Sequence, residues 1–171
     1  MRRAPWVLAT LVVALVLTGF GRSAPVRPGG KIGTMTLVRG TSANADLKFF
    51  DFCDPVILKP ADVHRRCVVP RVRRLFIGYG NFEPSRKALD ADWKRLKWNL
   101  WLDRRAVDLA RFGTSDRTLF AFPPAGGKDV ILREWRVMLV GITPGKHTLR
   151  YRSRAAAPGS VTDAIWSFRV S

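Results

Sequence analysis

His147-Thr148-Leu149-Arg150-Tyr151-Arg152 and Trp166-Ser167-Phe168-Arg169-Val170 decide the fold class. In the first stretch His147, Leu149 and Tyr151 alternate with Thr148, Arg150 and Arg152. In the second Trp166, Phe168 and Val170 alternate with Ser167 and Arg169. An extended chain sends successive side chains to opposite faces, so this period of two marks strands with one face in a core and one in water. The same period recurs upstream. Leu96, Trp98, Leu100 and Leu102 alternate with Lys97, Asn99, Trp101 and Asp103, and Trp135, Val137 and Leu139 alternate with Arg136, Met138 and Val140. Val72–Tyr79 places Leu75, Ile77 and Tyr79 on one side, while Ile32–Val38 and Leu47–Phe52 supply two further strand candidates.

The punctuation between these runs agrees. Asp103-Arg104-Arg105 reads as a hairpin turn, Pro123-Pro124 and Gly126-Gly127 bound a longer loop, and Pro144-Gly145 suits a turn with a positive backbone angle. One segment has helical spacing: Ser85 can cap a short helix in which Leu89 and Trp93 share a face. Short strands at regular turn spacing, with no internal repeat, predict an all-β chain, a β-sandwich with one short helix.

The stretch Leu139–Tyr151, with Pro144-Gly145 leading into Lys146-His147-Thr148-Leu149, and the ending Trp166-Ser167-Phe168-Arg169-Val170 resemble the last two strands of bacterial extracellular immunoglobulin-like β-sandwich domains. The likeness is confined to the C-terminal third. Ala155-Ala156-Ala157-Pro158-Gly159 replaces the usual connection, and Cys53–Arg74 has no counterpart in the family pattern. The resemblance implies an immunoglobulin-like sandwich acting as an extracellular accessory or interaction domain, and it names no ligand.

The N-terminus sets the expected compartment. Arg2 and Arg3 precede an uncharged, largely apolar run, Ala4–Gly21, followed by Arg22. This is the layout of a secretory signal. Residues 1–24 read as a signal peptide, with small residues near Gly21 and Ser23 suiting a peptidase cut. An uncleaved N-terminal anchor helix through residues 4–21 is the alternative, since a spanning helix needs roughly 17–25 residues. Residues 25–31, rich in Pro and Gly, read as a linker, and 32–171 as a single domain. The expected location is secreted or extracytoplasmic, with membrane attachment only if the leader is retained. In an oxidising compartment Cys53 and Cys67, the only two cysteines, point to one disulfide.

The chain carries 30 basic and 13 acidic side chains, a formal net charge of +17. Loss of Arg2, Arg3 and Arg22 with the leader would still leave a strongly cationic domain. Such a field attracts polyanions and weakens with salt. The densest run holds Arg65, Arg66, Arg71, Arg73 and Arg74, the candidate anion-binding residues. Trp101, out of phase with its aliphatic neighbours and next to cations, is the candidate aromatic contact for a sugar ring or a protein. The arginine bias also fits a general compositional habit in which charge is incidental.

Catalytic material is sparse. His64 and His147 are the only histidines, and His147 falls in phase with the core. Asp51 and Asp54 flank Cys53 without the glycine-rich loop of a calcium site, and there is no nucleophile elbow, phosphate loop or dinucleotide fingerprint. No catalytic residue, metal or cofactor is expected. The leading expectation is an exported, non-enzymatic binding module with a basic surface for anionic cell-envelope polymers, lipid headgroups or an acidic protein. A structural scaffold with incidental charge is the alternative, and a small hydrolase using His64 or carboxylates stands third. Nucleic acid binds any basic surface non-specifically, and export argues against a specific one.

Overall fold

The computed structural model describes residues 23–53, 63–155 and 161–171. The leader expectation over residues 1–22 and the carboxylate of Asp54 lie outside them. The stretch expected to link leader and domain is part of the fold. Val26 is 4% exposed, its N–H donates to the Ala106 carbonyl at 2.8 Å, and its carbonyl accepts from the Asp108 N–H at 2.9 Å. Val26 fills the core edge, so residues 25–31 hold their place by burial and backbone bonds.

Strands β1 (Lys31–Ile32) and β2 (Met35–Arg39) form a hairpin, with Gly33 at φ +59° in the turn, where one continuous strand had been expected. The expected strand Leu47–Phe52 is corrected more deeply. Strand β3 (Leu47–Lys48) stops after two residues, and helix α1 (Phe49–Cys53) follows. A strand would point Phe49 and Phe50 to opposite faces. The helical turn lets both reach the core: Phe49 meets Phe168 at 5.0 Å and Phe50 meets Trp166 at 5.1 Å, while Phe52 stays 50% exposed.

Strand β4 (Val63–Val69) is tied to α1 by the Cys53–Cys67 disulfide, with Sγ atoms 2.01 Å apart. Closing a loop of 14 residues' separation restricts the unfolded chain by about 3 kcal/mol. Strands β5 (Arg74–Phe76) and β6 (Gly80–Glu83) lead to helix α2 (Arg86–Arg95), whose N-cap is Ser85 as expected; its hydroxyl accepts from the Ala88 N–H at 3.2 Å. Gly80 permits the close crossing at β6, where a Cβ would lie 1.7 Å from the Arg133 carbonyl oxygen. Strand β7 (Leu96–Leu102) turns through Asp103 and Arg104, both at positive φ, into β8 (Arg105–Val107), the primed hairpin that matches strand twist.

Helix α3 (Leu109–Phe112) precedes β9 (Thr114–Phe122) and β10 (Lys128–Trp135), and then come β11 (Val137–Val140), β12 (Gly145–Ala155) and β13 (Val161–Val170). The alternating run Trp135–Val140 is broken at Arg136, so that Trp135 and Val137 belong to different sheets.

The chain is mostly β, in three sheets of order β1-β2-β11-β5-β3, β6-β10-β9 and β4-β13-β12-β7-β8. The two five-stranded sheets share one core. Leu37, Leu75, Val137 and Leu139 come from the first, with Ile77 just beyond β5, and Leu100, Leu102, Leu149, Tyr151, Trp166 and Phe168 from the second. The Tyr151 hydroxyl crosses between them and donates to the Ile77 carbonyl at 2.9 Å; burial pushes its phenol pKa well up. The three-stranded sheet forms a wing. One of its faces, carrying Asn81, Asp116, Arg133 and Trp135, is covered by α2.

Candidate functional site

The sheet β4-β13-β12-β7-β8 has two unlike faces. On β12 the odd-numbered residues His147, Leu149 and Tyr151 are buried, and the register pairs them with Phe168, Trp166 and Ala164 of β13. The even-numbered residues face away from the core. The same register places Arg66 of β4, Arg169 of β13, Lys146, Arg150, Arg152 and Arg154 of β12, and Lys97 of β7 on that outer face. Among the described residues, seven basic side chains there meet a single carboxylate, Asp163. The outward residues of β12 span about 27 Å from Lys146 to Arg154 at the usual strand rise. None of the outward residues between His64 and Arg169 whose side chains are described is buried.

Asp163 sits opposite Arg152 and is held below the ordinary carboxylate range, first by its hydrogen bonds from Arg150 and then by the nearby charges of Arg150 and Arg152, against a burial effect of opposite sign. Arg150 Nε donates to Asp163 Oδ1 at 2.7 Å, and its Nη2 pairs with Oδ2. The Arg150 guanidinium also lies 5.3 Å from the Trp101 ring centroid, a cation–π contact. Trp101 is half-buried on the outer face, in the phase expected from the sequence.

The five arginines of the densest sequence run do not converge. Arg65 and Arg66 are neighbours on β4 and therefore point to opposite sides of it, and only Arg66 joins the outer face. Arg71 and Arg73 lie between β4 and β5, around a cavity with Thr34 and Ile142. Arg74 is committed to Asp46, which accepts from its backbone N–H at 2.9 Å and from its guanidinium at 2.8 Å; those bonds lower the Asp46 pKa. The outer-face cations come from positions 66, 97, 146–154 and 169, which only the strand register brings together. Strand alternation at Arg150, Arg152 and Arg154 was the available signal.

The histidines are both engaged. His147 is 8% exposed; its Nδ1 lies 2.8 Å from Asp103 Oδ2 and its Nε2 lies 2.9 Å from the Thr143 carbonyl oxygen, so it clamps two turns together. His64, exposed on the outer face, lies 3.2 Å from the Ser167 hydroxyl. No carboxylate among the described residues orients that ring, as a serine–histidine nucleophile requires. Asp51 pairs with Lys48 at 3.3 Å on the surface. Among the described residues no group of three or more His, Cys, Asp or Glu is placed to hold a metal, and no helix is long and apolar enough to cross a membrane.

Two cavities adjoin these surfaces. One of about 220 Å³ lies between α1 and the wing, lined by Phe50, Phe82, Phe122, Leu132, Arg117 and Glu134. Glu134 is 4% exposed, burial raises its pKa, and its Oε1 accepts from Ser42 at 3.0 Å and Arg117 at 3.3 Å. The other, of about 520 Å³, opens at the edge of β7 beside the cationic face and is bordered by Trp93, Trp98, Trp101 and Trp135. Comparison with family models, curated proteins and solved structures finds no match to the chain.

Proposed function

We propose that this chain is an exported, non-enzymatic binding module of immunoglobulin-like sandwich type, which uses the outer face of β4-β13-β12-β7-β8 to hold anionic material of the cell envelope. The observation that carries the reading is the charge of that face: seven basic side chains and one acidic one among the described residues. A charged surface of one sign concentrates polyanions and loses that hold as salt rises. Three features support the sandwich part. The last two strands form a hairpin, β7 flanks its first strand, and β4 runs parallel to its last. This is the neighbour order of the sheet that carries the final strands in immunoglobulin folds. The other sheet departs from that plan, because the N-terminal β1 and β2 form one of its edges. Export is supported by the N-terminal basic-apolar run and by the disulfide.

The test is co-sedimentation of the full chain with purified envelope at low and high salt, comparing the native protein with K97E/R154E. Both side chains are exposed on the outer face. Binding should fall with salt, and the double reversal should remove most of it, whereas R71E/R73E, away from that face, should bind as the native protein does. Binding indifferent to salt and to K97E/R154E would make the charge incidental and leave a scaffold.

A further inference from the structure

Of the six tryptophans, Trp166 is fully buried in the core and four others stand half-buried around one groove. Trp93 stacks on Trp98 with ring centroids 5.6 Å apart and meets Trp135 at 5.2 Å. Trp101 completes the wall on the side of the cationic face. The groove exists because β8 pairs only with Leu100–Leu102, leaving Leu96–Asn99 of β7 without a described strand on that side. Asn99 is exposed at the groove, Asp108 lines it, and the indole N–H groups of Trp98 and Trp135 are buried without a hydrogen-bond partner among the described residues. Half-open indoles grouped at one concavity are an expensive way to build a surface, and they mark recognition sites elsewhere.

We infer that this groove is a saccharide-binding site and that its ligand is an acidic polysaccharide. The inference rests on the reading of the outer face as an anion-binding surface and names what that surface holds. The physical case has three parts. The C–H-lined face of a pyranose ring packs on an indole face, and Trp101 and Trp98 border the groove where such a ring would enter. Sugar hydroxyls need both donors and acceptors, which the Asn99 amide and the Asp108 carboxylate supply beside the ring faces. The acidic substituents then need cations within one or two sugar units. Asn99 and Trp101, the two groove residues of β7 on the outer face, lie opposite Arg152 and Arg150, and Lys97 beside them lies opposite Arg154. A bilayer surface is flat on this scale and leaves the groove empty. An acidic peptide would instead add a strand to the open edge of β7.

The experiment titrates the full chain with four probes of stated chemistry: a heparin-derived hexasaccharide, neutral chitohexaose, polyphosphate of matched charge, and polyglutamate. Affinity and tryptophan fluorescence are read together. The sulfated hexasaccharide should bind best and change the fluorescence, and W101A should weaken it about tenfold, with W101F retaining most of the affinity. Chitohexaose should bind weakly but with the same spectral change, insensitive to salt. Polyphosphate or polyglutamate binding as tightly as the hexasaccharide, with W101A and native protein alike, would overturn the saccharide assignment and leave the anion-binding face standing. Failure of every anionic probe to bind at low salt would overturn both.

Discussion

Arginine does two different jobs in two regions of this molecule. Between α2 and the wing, Arg133 is 14% exposed at its side chain and fully matched. Its guanidinium donates to Asp116 at 2.7 and 2.8 Å, lies 2.9 Å from Asp90 Oδ1, and sits 5.7 Å from the Trp93 ring centroid; its pKa is raised, first by the Asp116 hydrogen bonds. Arg86 adds a further bond to Asp116 at 2.7 Å. On the outer face of the β4-β13-β12-β7-β8 sheet the same residue type recurs along β12, and the one described carboxylate, Asp163, pairs with Arg150 and Arg152. A buried cation must be matched because an unpaired charge away from water is costly, whereas an exposed one needs no partner and keeps its field for something outside the molecule. Matching thus separates the cations that hold the wing from those whose charge faces solvent on the sheet.

The largest effect expected from breaking that contrast is at Arg133. R133A leaves Asp116 half-enclosed without its principal donor, and the chain should lose about 3 kcal/mol in a urea titration. R154A, on the outer face, should shift stability by no more than about 0.5 kcal/mol. Next comes acid. Asp116 has its pKa lowered, mainly by the hydrogen bonds from Arg133, so its contribution is fully present above the ordinary aspartate pKa. It is lost as pH falls from there through the depressed value. Thermal melts should therefore drop below about pH 4 in the native chain and less steeply in D116N, which starts lower. A D116N melt as acid-sensitive as the native one would remove the wing pair from the account. A smaller loss of stability than at Arg133 should come at Asp163, where D163N costs about 1 kcal/mol through weakened bonds to Arg150. It should tighten low-salt binding to anionic envelope material by removing the one acidic group described on that face. Weaker binding by folded D163N would mean that Asp163 positions Arg150 rather than merely cancelling its charge.

Much of the architecture could be read before the structure was in view. Leu96–Leu102, His147–Arg152 and Trp166–Val170 are strands because apolar residues recur at every second position along one face, with His147 in phase at the start of the second, and period two is then unambiguous. The Ser85 cap, the Asp103-Arg104 turn and the cysteine pair were also legible, since each depends on a few local residues. What could not be read depends on distant partners. Phe49-Phe50 is helical because two adjacent rings both find core contacts, a fact about Trp166 and Phe168 rather than about the segment. Val26 is fixed by Ala106 and Asp108. The wing strands β9 and β10 carry Asp116, Arg117, Arg133 and Glu134 on partly covered faces, so their polarity hid them. The cationic face was missed for a related reason: adjacency in sequence drew attention to Arg65–Arg74, whereas adjacency across strands is what gathers charge on a sheet.

Strand β4 lies at the margin of its sheet, with no described strand paired to it on one side and with Val68 56% exposed. An unguarded margin of this kind invites another chain to add itself and start an aggregate. Here the margin carries His64, Arg65 and Arg66, and Cys67 pins it to α1. Two copies approaching margin to margin would bring like charges together along strands that cannot peel away to relieve the repulsion. Like charge along this margin therefore opposes strand-to-strand pairing of two copies.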